Sequence, residues 1–477
     1  MSIQLVIMLG YLCIIILIGL FAQRKSKSSS SFHGMGLGVM MCVAAGTGEW
    51  LGGTSTTGVS EYGFLYGISG AWYTIANAIG IIFLAVFFAK LYRSLETVTV
   101  PGIIEKFIGV KARVISSVFL TFVMIMVGTA QIIAAGTLGV AVLNLDYITS
   151  VIILGIGFIV YTLAGGMMAV GYTNTIHLIF MYGGIVLAIV LAGLNIGGLD
   201  AFKASLPTEP YFSMTSIGFS KISSWIIASM LGACTAQAGI QPILAARDVK
   251  VARKSAFITA LAVAPFGILT ASLGMIARVK YPQLTDGKLA LPTLMMDLHP
   301  LAGGIVIASI MAAILSTVSP IILASGTMIT KDIYQRIIKP NATDKQVLLT
   351  SRITTGISGL ICMLLALAMY GNTKMLDLVY FAYSLRGALF VVLLLGIYWR
   401  RTTQRSAIWA MLLTAAVGIF WVAFKGRFGY YPISPYLTET YAAVITAFVS
   451  LVVLSLVFSN ERENTYKSDT STMDNAL

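Results

Sequence analysis

A carboxylate among glycines interrupts an otherwise apolar stretch of the chain, at residues 39–58. Glu49 is surrounded there by four glycines: Gly46, Gly48, Gly52 and Gly53. Carbonyl groups freed beside such glycines can hold a cation, and the N-terminus of the following half-helix favours an anion. Close helix packing on small residues is the alternative. Packing does not explain a carboxylate at that depth, because a charge inside a membrane is costly.

Two adjacent hydroxyl side chains, Ser316 and Thr317, lie in a second apolar stretch. Na⁺ is a hard cation that binds oxygen atoms. Adjacent hydroxyls on one helix can face the carbonyl groups of an unwound partner helix, so this pair predicts a sodium site. The alternative is that both hydroxyls bond back to carbonyls one turn earlier in their own helix, which is common in membrane helices.

Arg386 lies fifteen residues before Arg401 in a third apolar stretch, roughly 22 Å along a helix. An arginine at that depth usually faces a cavity and pairs with an acid or an anionic ligand. A guanidinium can hold a carboxylate by two parallel hydrogen bonds, so Arg386 predicts a carboxylate-bearing solute. The alternative is a structural ion pair, with Glu49 as the partner.

Further polar side chains in the apolar stretches are predicted to line the same cavity, because a buried amide without a partner is costly. Together with Glu49 and Arg386, the predicted solute-binding residues are Thr47, Trp50, Asn77, Gln131, Gln237 and Gln241. His33 and His299 lie in connecting segments and predict no metal site. No pairing of a nucleophile with a base is visible, so an enzyme is not predicted.

The composition indicates an integral membrane protein. Of the 477 residues, 58% are hydrophobic and 10% are charged, which excludes a soluble domain and places most of the chain in a lipid bilayer. The net charge of +13 comes mainly from connectors on the predicted cytoplasmic side. It is therefore a topology signal, and no nucleic-acid partner is expected. The four cysteines fall in apolar stretches, so neither disulfides nor a covalently bound cofactor is predicted.

Hydropathy predicts an all-α fold with thirteen transmembrane helices in the plasma (cytoplasmic) membrane. The first, about 3–22, is followed by Arg24, Lys25 and Lys27 and preceded by no basic residue. The N-terminus is therefore predicted outside and the C-terminus in the cytoplasm. The predicted divisions are a first helix and basic loop at 1–30, a five-helix repeat at 31–196, an extracellular loop at 197–221, a second five-helix repeat at 222–401, two peripheral helices at 402–459 and a cytoplasmic tail at 460–477.

Each predicted repeat opens with a glycine-interrupted helix. In the second repeat that helix carries Gly232, Gly239 and Pro242, which predict a break or a kink. Because five is odd, the second repeat enters the membrane from the side opposite to the first. Inverted repeats of this kind are typical of secondary transporters, whose site lies near the midplane between the broken helices. The oligomeric state is left open.

Five stretches resemble the sodium–solute symporter family. They are GTGEWLG at 46–52, GGMMAVGYTN at 165–174, IQPILAAR at 240–247, AAILST at 312–317 continuing to TKDIY at 330–334, and LGIYWRR at 395–401. The resemblance extends in order over nearly the whole chain and implies the LeuT-type fold of inverted repeats.

The resemblance also implies a sodium site. Its ligands would be the Ser316 and Thr317 side chains, the Ala313 carbonyl, and carbonyls of the first broken helix at Val43 and Gly46. A slip of one residue in the alignment would move the last two to Ala44 and Thr47.

The chain departs from the family pattern in several places. Asn174 replaces an acid and His177 replaces a glutamine, which favours a single coupling ion. Pro320 has no N–H and would leave the Ser316 carbonyl unpaired if the helix continues. The segment 236–238 reads Ala-Gln-Ala where sugar carriers have a polar pair and an aromatic residue, so a sugar is disfavoured.

The predicted function is a sodium-coupled symporter that imports a small polar solute by alternating access. The solute is predicted to carry a carboxylate, as an amino acid, a zwitterion or a small organic acid does. A proton-coupled carrier with Glu49 as the titrating group is the alternative. A solute sensor on the same membrane core is disfavoured because only a short polar tail follows Phe458.

Overall fold

The computed structural model describes residues 2–23, 36–95, 97–371 and 374–458, without the side chains of 19–23 and 164–172. In this part of the chain the fold is all helical, and no strand is present. A single parallel backbone bridge joins Leu37 to Ala246. The predicted basic loop that ends at residue 30 and the predicted tail at 460–477 lie outside the described residues.

The helices of the first part are α1 (Ile3–Gln23), α2 (Val39–Trp50), α3 (Val59–Tyr66), α4 (Trp72–Phe83), α5 (Ala89–Ser94), α6 (Val100–Phe107), α7 (Val110–Leu143) and α8 (Tyr147–Asn195). Short helical turns of other pitch precede three of them: a π turn at Thr54–Gly58, a 3-10 turn at Gly67–Ala71 and a π turn at Leu84–Phe88.

The helices of the second part are α9 (Gly198–Ser205), α10 (Thr208–Tyr211), α11 (Phe219–Ala233), α12 (Gln237–Ala245), α13 (Val249–Lys280), α14 (Ala290–Met296), α15 (Pro300–Met328), α16 (Asp344–Met369), α17 (Met375–Tyr398), α18 (Gln404–Phe428) and α19 (Glu439–Val457). A 3-10 turn at Gly287–Leu289 precedes α14, and a π-helical segment at Ile329–Ile338 continues α15.

Nine helical stretches of the described residues are long and apolar enough to cross a membrane, or ten when the bent pair α11 and α12 counts as one span. The protein is therefore an all-α, multi-pass membrane protein. Two shorter apolar helices, Ile3–Ile18 and Tyr147–Leu163, fall on further predicted spans. The count of thirteen, the outside N-terminus and the inverted relation of 31–196 to 222–401 stay predictions.

The sequence predicted two separate spans in the region that forms α8 in the structure. The Tyr161 hydroxyl donates to Thr173 Oγ1 at 2.7 Å. These two residues would stand about 18 Å apart along a straight helix, so α8 is bent between them. The predicted boundary, at 165–168, falls among the residues whose side chains are not described.

The helices that carry the predicted site are the most deeply buried. In the apolar stretch of α15 and its extension the buried share is 94%, and in that of α17 it is 89%. In α16, α18 and α19 the buried share is 33%. A helix that is apolar all round belongs in the interior of a helical assembly. Ser316 and Thr317 on α15, and Arg386 on α17, are thus held in the middle of the fold.

Two helices are interrupted at that depth. Helix α2 ends at Trp50, where Leu51 has non-helical angles of φ −108° and ψ 66°. Helices α11 and α12 are separated by residues 234–236 and meet at an angle of 41°. Both interruptions fall beside the glycines that predicted them.

Candidate functional site

Gln131 of α7 holds the break after α2 in place. Its Oε1 accepts a hydrogen bond from the Gly53 N–H at 2.6 Å, and its Nε2 donates to Thr54 Oγ1 at 3.2 Å. A Cβ atom on Gly52 would lie 2.6 Å from that Oε1 and 2.4 Å from Thr317 Oγ1, so this close approach requires glycine. In this structure Gln131 is engaged with the Gly53 N–H and the Thr54 hydroxyl, and the solute contact predicted for it stays a prediction.

The hydroxyls of Ser316 and Thr317 converge on one carbonyl of the broken helix. Ser316 Oγ donates to the Gly48 carbonyl at 3.1 Å and to the Ala313 carbonyl at 2.9 Å. Thr317 Oγ1 donates to the Gly48 carbonyl at 2.5 Å. The bond from Ser316 to the Ala313 carbonyl lies within α15 and is the interaction considered above as the alternative to a sodium site. In the structure it is present together with the bond from Ser316 to Gly48.

This cluster has the chemistry of a site for a monovalent cation. Two carbonyl and two hydroxyl oxygens from α2 and α15 lie together, and Ser316 and Thr317 are buried. Hard cations bind oxygen atoms of this kind, and divalent ions in proteins usually take carboxylates as well. Because all four oxygens are neutral, they fit Na⁺ better than Ca²⁺ or Mg²⁺.

The carbonyl that the hydroxyls contact is that of Gly48, and not those of Val43 and Gly46 expected from the resemblance. Both of the latter lie within the regular part of α2, where carbonyls accept helical N–H groups. The last such bond runs from the Leu51 N–H to the Thr47 carbonyl. Gly48 follows Thr47, so the break leaves its carbonyl without a helical donor. We therefore assign the α2 carbonyl of this cluster to Gly48.

Asn174 of α8 completes the surroundings of Ser316. Helix α15 continues through Pro320, which has no N–H for the Ser316 carbonyl. The Asn174 Nδ2 donates to that carbonyl at 3.3 Å, so the carbonyl expected to be unpaired has a side-chain partner. A Cβ atom on Gly48 would lie 2.4 Å from the same nitrogen. Helices α2, α8 and α15 therefore meet at this point.

Arg386 is buried at the middle of α17, with 2% of its surface exposed. Its guanidinium carbon lies 3.5 Å from the centre of the Tyr383 ring and 5.2 Å from that of Trp50, and both ring faces attract the cation. Gly232 of α11 leaves room for the guanidinium, because a Cβ atom there would lie 2.8 Å from Arg386 Nε. Neither Nε nor Nη2 has a hydrogen-bond partner in the described part of the chain.

Glu49 does not pair with Arg386 in this structure. The ion pairs within 4.0 Å among the described residues do not include these two. Glu49 is 8% exposed, and its Oε2 has no partner among those residues. The structural ion pair considered as an alternative is therefore not formed in this structure.

Tyrosine hydroxyls connect the break to the neighbourhood of Arg386. Thr54 Oγ1 and the Tyr73 hydroxyl are hydrogen-bonded at 2.9 Å, and the Tyr73 and Tyr383 hydroxyls at 3.2 Å. The sequence prediction did not include these tyrosines. Tyr383 precedes Arg386 by three residues, a spacing that puts both on one helix face and that could have identified it.

Asn77 and Thr47 retain polar atoms for the solute contacts predicted for them. Asn77 Oδ1 accepts a hydrogen bond from Ser229 Oγ at 3.0 Å. Its Nδ2 is buried and has no partner among the residues that the structure describes, and the same holds for the Thr47 hydroxyl. Both therefore stay candidates.

Gln237 and Gln241 of α12 have different surroundings. Gln237 Oε1 accepts a backbone N–H of segment 98–100 at 2.7 Å, and its Nε2 donates to a carbonyl there at 3.0 Å. Both polar atoms of Gln241 are buried without a partner in the described part of the chain. Gly239, which packs on the Trp50 ring, lies two residues before Gln241, so the two face opposite sides of the helix. Gln241 therefore points away from Trp50.

A mostly apolar cleft of about 280 Å³, including its open mouth, reaches Trp50. Its lining comes from α2, α12, α13 and the end of α4: Cys42, Gly46, Trp50, Ile81, Leu84, Gly239, Pro242, Ile243, Ser255, Ala256 and Thr259. The cleft extends from Trp50 toward the N-terminal end of α2. On the predicted topology that end is cytoplasmic.

On the other side of the break, side chains tie together α3, α11 and α17. Lys221 Nζ donates to Asp377 Oδ1 at 2.9 Å and to the Tyr62 hydroxyl at 2.7 Å. The Tyr62 hydroxyl donates to Asp377 Oδ1 at 2.6 Å. Glu61 Oε2 accepts the Met375 N–H at 3.2 Å. These bonds link helix ends on the side that the topology prediction places outside the cell.

An ion cluster joins α6, α7 and the π-helical extension of α15. Arg113 pairs with Glu105 and with Asp332, and Arg336 pairs with Glu105 at 2.5 Å. Burial acts to raise the pKa of Glu105, but the guanidinium groups of Arg336 and Arg113 outweigh it and hold that pKa below its ordinary value. The cluster anchors the short helix α6 on the side opposite the Lys221 network.

Comparison with proteins of known function identifies relatives along nearly the whole chain. The osmoregulated proline transporter OpuE of Bacillus subtilis is 25% identical, over 94% of this chain and 96% of that protein. The high-affinity proline transporter PutP of the same organism is 27% identical, over 85% and 89%. The sodium/glucose cotransporter of Vibrio parahaemolyticus is 25% identical, over 86% and 83%.

Solved structures show the same fold. A substrate-bound, outward-open sodium-coupled sialic acid symporter superposes with a TM-score of 0.80 at 18% identity, over 96% of this chain and 98% of that one. The nucleobase-cation-symport transporter Mhp1 gives a TM-score of 0.62 at 13% identity, over 95% and 99%. The sequence model of the sodium:solute symporter family matches residues 32–414. The chain therefore belongs to the sodium:solute symporter family.

Proposed function

We propose that the protein is a sodium-coupled symporter that imports a small, carboxylate-bearing solute by alternating access. The observation that carries the proposal is the convergence of the Ser316 and Thr317 hydroxyls on the Gly48 carbonyl. Membership of the family supports Na⁺ as the coupling ion. Relatives named for proline and for glucose leave the solute open.

Sodium binding would connect helices α2 and α15. An ion among the four oxygens would turn the Gly48 carbonyl and both hydroxyls toward itself and so join the end of α2 to α15. Glu49 and Trp50 directly follow Gly48, so the ion would fix the residues beside Arg386. A ligand favours the conformation that it binds better, and the coupling between two sites is reciprocal. Sodium and solute would therefore strengthen each other's binding.

The solute side of the proposal depends on Arg386. A buried guanidinium whose Nε and Nη2 have no hydrogen-bond partner among the described residues is suited to a carboxylate. A sugar fits less well, because the Gln237 amide is already hydrogen-bonded to the backbone of 98–100. The cleft below Trp50 would be the path to the cytoplasm, and the Lys221–Asp377 network would close the outer path in this conformation.

We place the protein in the plasma membrane, with the N-terminus outside and the C-terminus in the cytoplasm. The two inverted repeats would be 31–196 and 222–401, with 197–221 outside and 402–459 peripheral to the core. The support is the excess of basic residues in the connectors assigned to the cytoplasm and the break that opens each repeat.

Uptake into proteoliposomes tests the proposal. Labelled L-proline, D-glucose and a panel of amino acids and small organic acids would be offered with an inward sodium gradient, an inward proton gradient, or neither. We expect a carboxylate-bearing solute to accumulate with the sodium gradient alone. Accumulation that follows the proton gradient and ignores sodium would overturn the proposal and favour a proton-coupled carrier with Glu49 as the titrating group.

A further inference from the structure

We infer that residues 97–100 form a latch on α12, which Gln237 must release before the solute can leave the protein on the predicted cytoplasmic side. The inference rests on the proposed function and goes beyond it, because it assigns the joint at which alternating access takes place. Residues 97–100 are named the latch segment. The inference is drawn from the hydrogen bonds that hold this segment between two groups of helices.

The Gln237 side chain of α12 binds the backbone of the latch segment. Its Oε1 accepts the Val100 N–H at 2.7 Å, and its Nε2 donates to the Val98 carbonyl at 3.0 Å. Gln237 and Val100 are both buried. Because buried backbone groups need hydrogen-bond partners, this one amide holds the latch segment against α12.

The other side of the latch segment is fixed to α15 and α7. Thr99 Oγ1 donates to Asp332 Oδ1 at 2.8 Å, and it accepts the Gly102 N–H at 3.1 Å as the N-cap of α6. Asp332, on the extension of α15, is also paired with Arg113 of α7. Hydrogen bonds to charged groups are stronger than those between neutral groups. The neutral joint at Gln237 is therefore the weaker of the two and the one that opens.

Helix α12 is bonded at both ends to α5, the helix that precedes the latch segment. The Tyr92 hydroxyl donates to the Cys234 carbonyl before α12 at 2.8 Å, and Arg93 Nε donates to the Ala246 carbonyl after it at 2.5 Å. These bonds make α5 and α12 one group, while α6, α7 and α15 form the other. The latch segment connects the two groups in the chain, so movement between them must pass through it.

Helix α12 is built to move as a short unit. It has nine residues, contains Pro242 and meets α11 at an angle of 41°, and such a break can act as a hinge. Gly239, Pro242 and Ile243 form one wall of the cleft that reaches Trp50. Gln237 lies two residues before Gly239 and faces away from the cleft. While Gln237 holds the latch segment, that wall stays in place; its release lets the cleft widen.

The first experiment measures how fast a cysteine in the latch segment reacts with N-ethylmaleimide in proteoliposomes, with each labelled position read by mass spectrometry. Val100→Cys is the reporter, because position 100 is buried. Adding Gln237→Ala should raise its rate of labelling about tenfold or more, the scale of a lost buried hydrogen bond. The native Cys362, buried on α16, is the control within the same molecule and should keep its rate.

Two results of the labelling experiment would overturn the inference. An unchanged rate at position 100 would show that Gln237 does not hold the latch segment. Equal rises at positions 100 and 362 would show that the substitution loosens the whole fold, which is what a merely structural role of Gln237 predicts.

The second experiment locks the latch reversibly. Val98→Cys and Gln237→Cys are joined by a short bis-methanethiosulfonate reagent, whose links dithiothreitol cleaves. We expect the cross-linked protein to lose solute uptake and to recover it after cleavage. The matched control joins Glu105→Cys to Arg336→Cys, since those two residues are paired in the parent protein between α6 and the extension of α15. Both lie in the same group, so this link should leave uptake unchanged.

The outcomes separate the latch from the symporter proposal. Undiminished uptake by the protein cross-linked between positions 98 and 237 would overturn the latch and leave the symporter proposal standing. Loss of uptake in both cross-linked pairs would overturn the assignment of the opening joint to Gln237. Uptake by the parent protein that ignores sodium would overturn the symporter proposal instead, and the labelling experiment, which needs neither sodium nor solute, would still decide on the latch.

Discussion

The Asn174 side-chain amide donates to the Ser316 carbonyl across 3.3 Å, in the place of the backbone N–H that Pro320 lacks. Asn174 and Pro320 are both departures from the family pattern, and the Asn174 amide supplies the hydrogen bond that Pro320 cannot. The Ser316 hydroxyl donates to the Gly48 carbonyl. The contact between α8 and α15 therefore lies beside the cation cluster.

Asn174→Ala should destabilise the protein by about 1–3 kcal/mol, because it leaves a buried carbonyl unsatisfied. In a Pro320→Ala background the Asn174→Ala substitution should reduce stability less, because the backbone N–H gained at position 320 can donate to the Ser316 carbonyl. Thermal unfolding of the two single variants and the double variant in detergent gives the coupling free energy between the two substitutions. Costs that simply add would show that the two residues act independently.

Gly48→Ala should raise the sodium concentration needed for half-maximal uptake. The new Cβ atom would lie 2.4 Å from Asn174 Nδ2 and 3.1 Å from Ser316 Cβ, so α2 and α15 must move apart and the oxygen cluster must open. Gly38→Ala, at the N-cap residue before the same helix, is the control, because nothing lies within 4 Å of a Cβ there. An equal sodium requirement in both variants would contradict the role assigned to the Gly48 carbonyl.

Gly232→Ala should weaken solute binding while sparing sodium binding. Its Cβ atom would lie 2.8 Å from Arg386 Nε and would displace the guanidinium from the rings of Tyr383 and Trp50. We expect the KM for solute to rise about tenfold, the scale of a lost charge-assisted bond. Sodium binding is measured without solute, as thermal stabilisation by NaCl against choline chloride. Gly193→Ala, with open space around it, should change neither quantity, and an unchanged KM in Gly232→Ala would contradict the prediction.

Glu105→Gln should reduce stability at neutral pH and flatten its decline in acid. The pKa of Glu105 in the folded protein lies below its ordinary value, so its ionised form stabilises the fold above the unfolded pKa of about 4.3. That stabilisation is lost as the pH falls through the lower folded pKa. We expect about 1 kcal/mol or less, because the group is partly exposed to solvent.

Unfolding temperatures between pH 7 and pH 4 would measure this contribution. Glu209→Gln, at an exposed residue of the short helix α10, is the control and should leave the pH dependence unchanged. A Glu105→Gln protein with the full acid sensitivity of the parent would show that the ion pairs with Arg113 and Arg336 contribute nothing measurable.

The membrane-embedded helical fold and the Ser316–Thr317 pair could be predicted because they depend on local properties. Apolar length defines a span, and two adjacent hydroxyls share one turn of a helix wherever that helix packs. The depth of Arg386 followed in the same way from its distance to Arg401. These features needed no knowledge of which helices touch.

The identity of the helix carbonyl could not be predicted, because it depends on where α2 stops. That point is set by Gln131 on α7, which holds Gly53 from 78 positions further along the chain. Likewise the sequence allowed Glu49 to pair with Arg386. Whether they meet depends on how α2, α11 and α17 pack, and the space left by Gly232 places the guanidinium against Tyr383 instead.

The sodium dependence of solute uptake by the double variant Ser316→Ala/Thr317→Ala tests the central claim most directly. The matched control is Ser325→Ala, a buried serine on the same helix whose hydroxyl, in the described part of the chain, donates to the Ile321 carbonyl at 3.0 Å. We predict that the double variant needs about tenfold more sodium or greater for half-maximal uptake, while the control follows the parent protein. A double variant that folds, transports and keeps the sodium dependence of the parent would contradict the account.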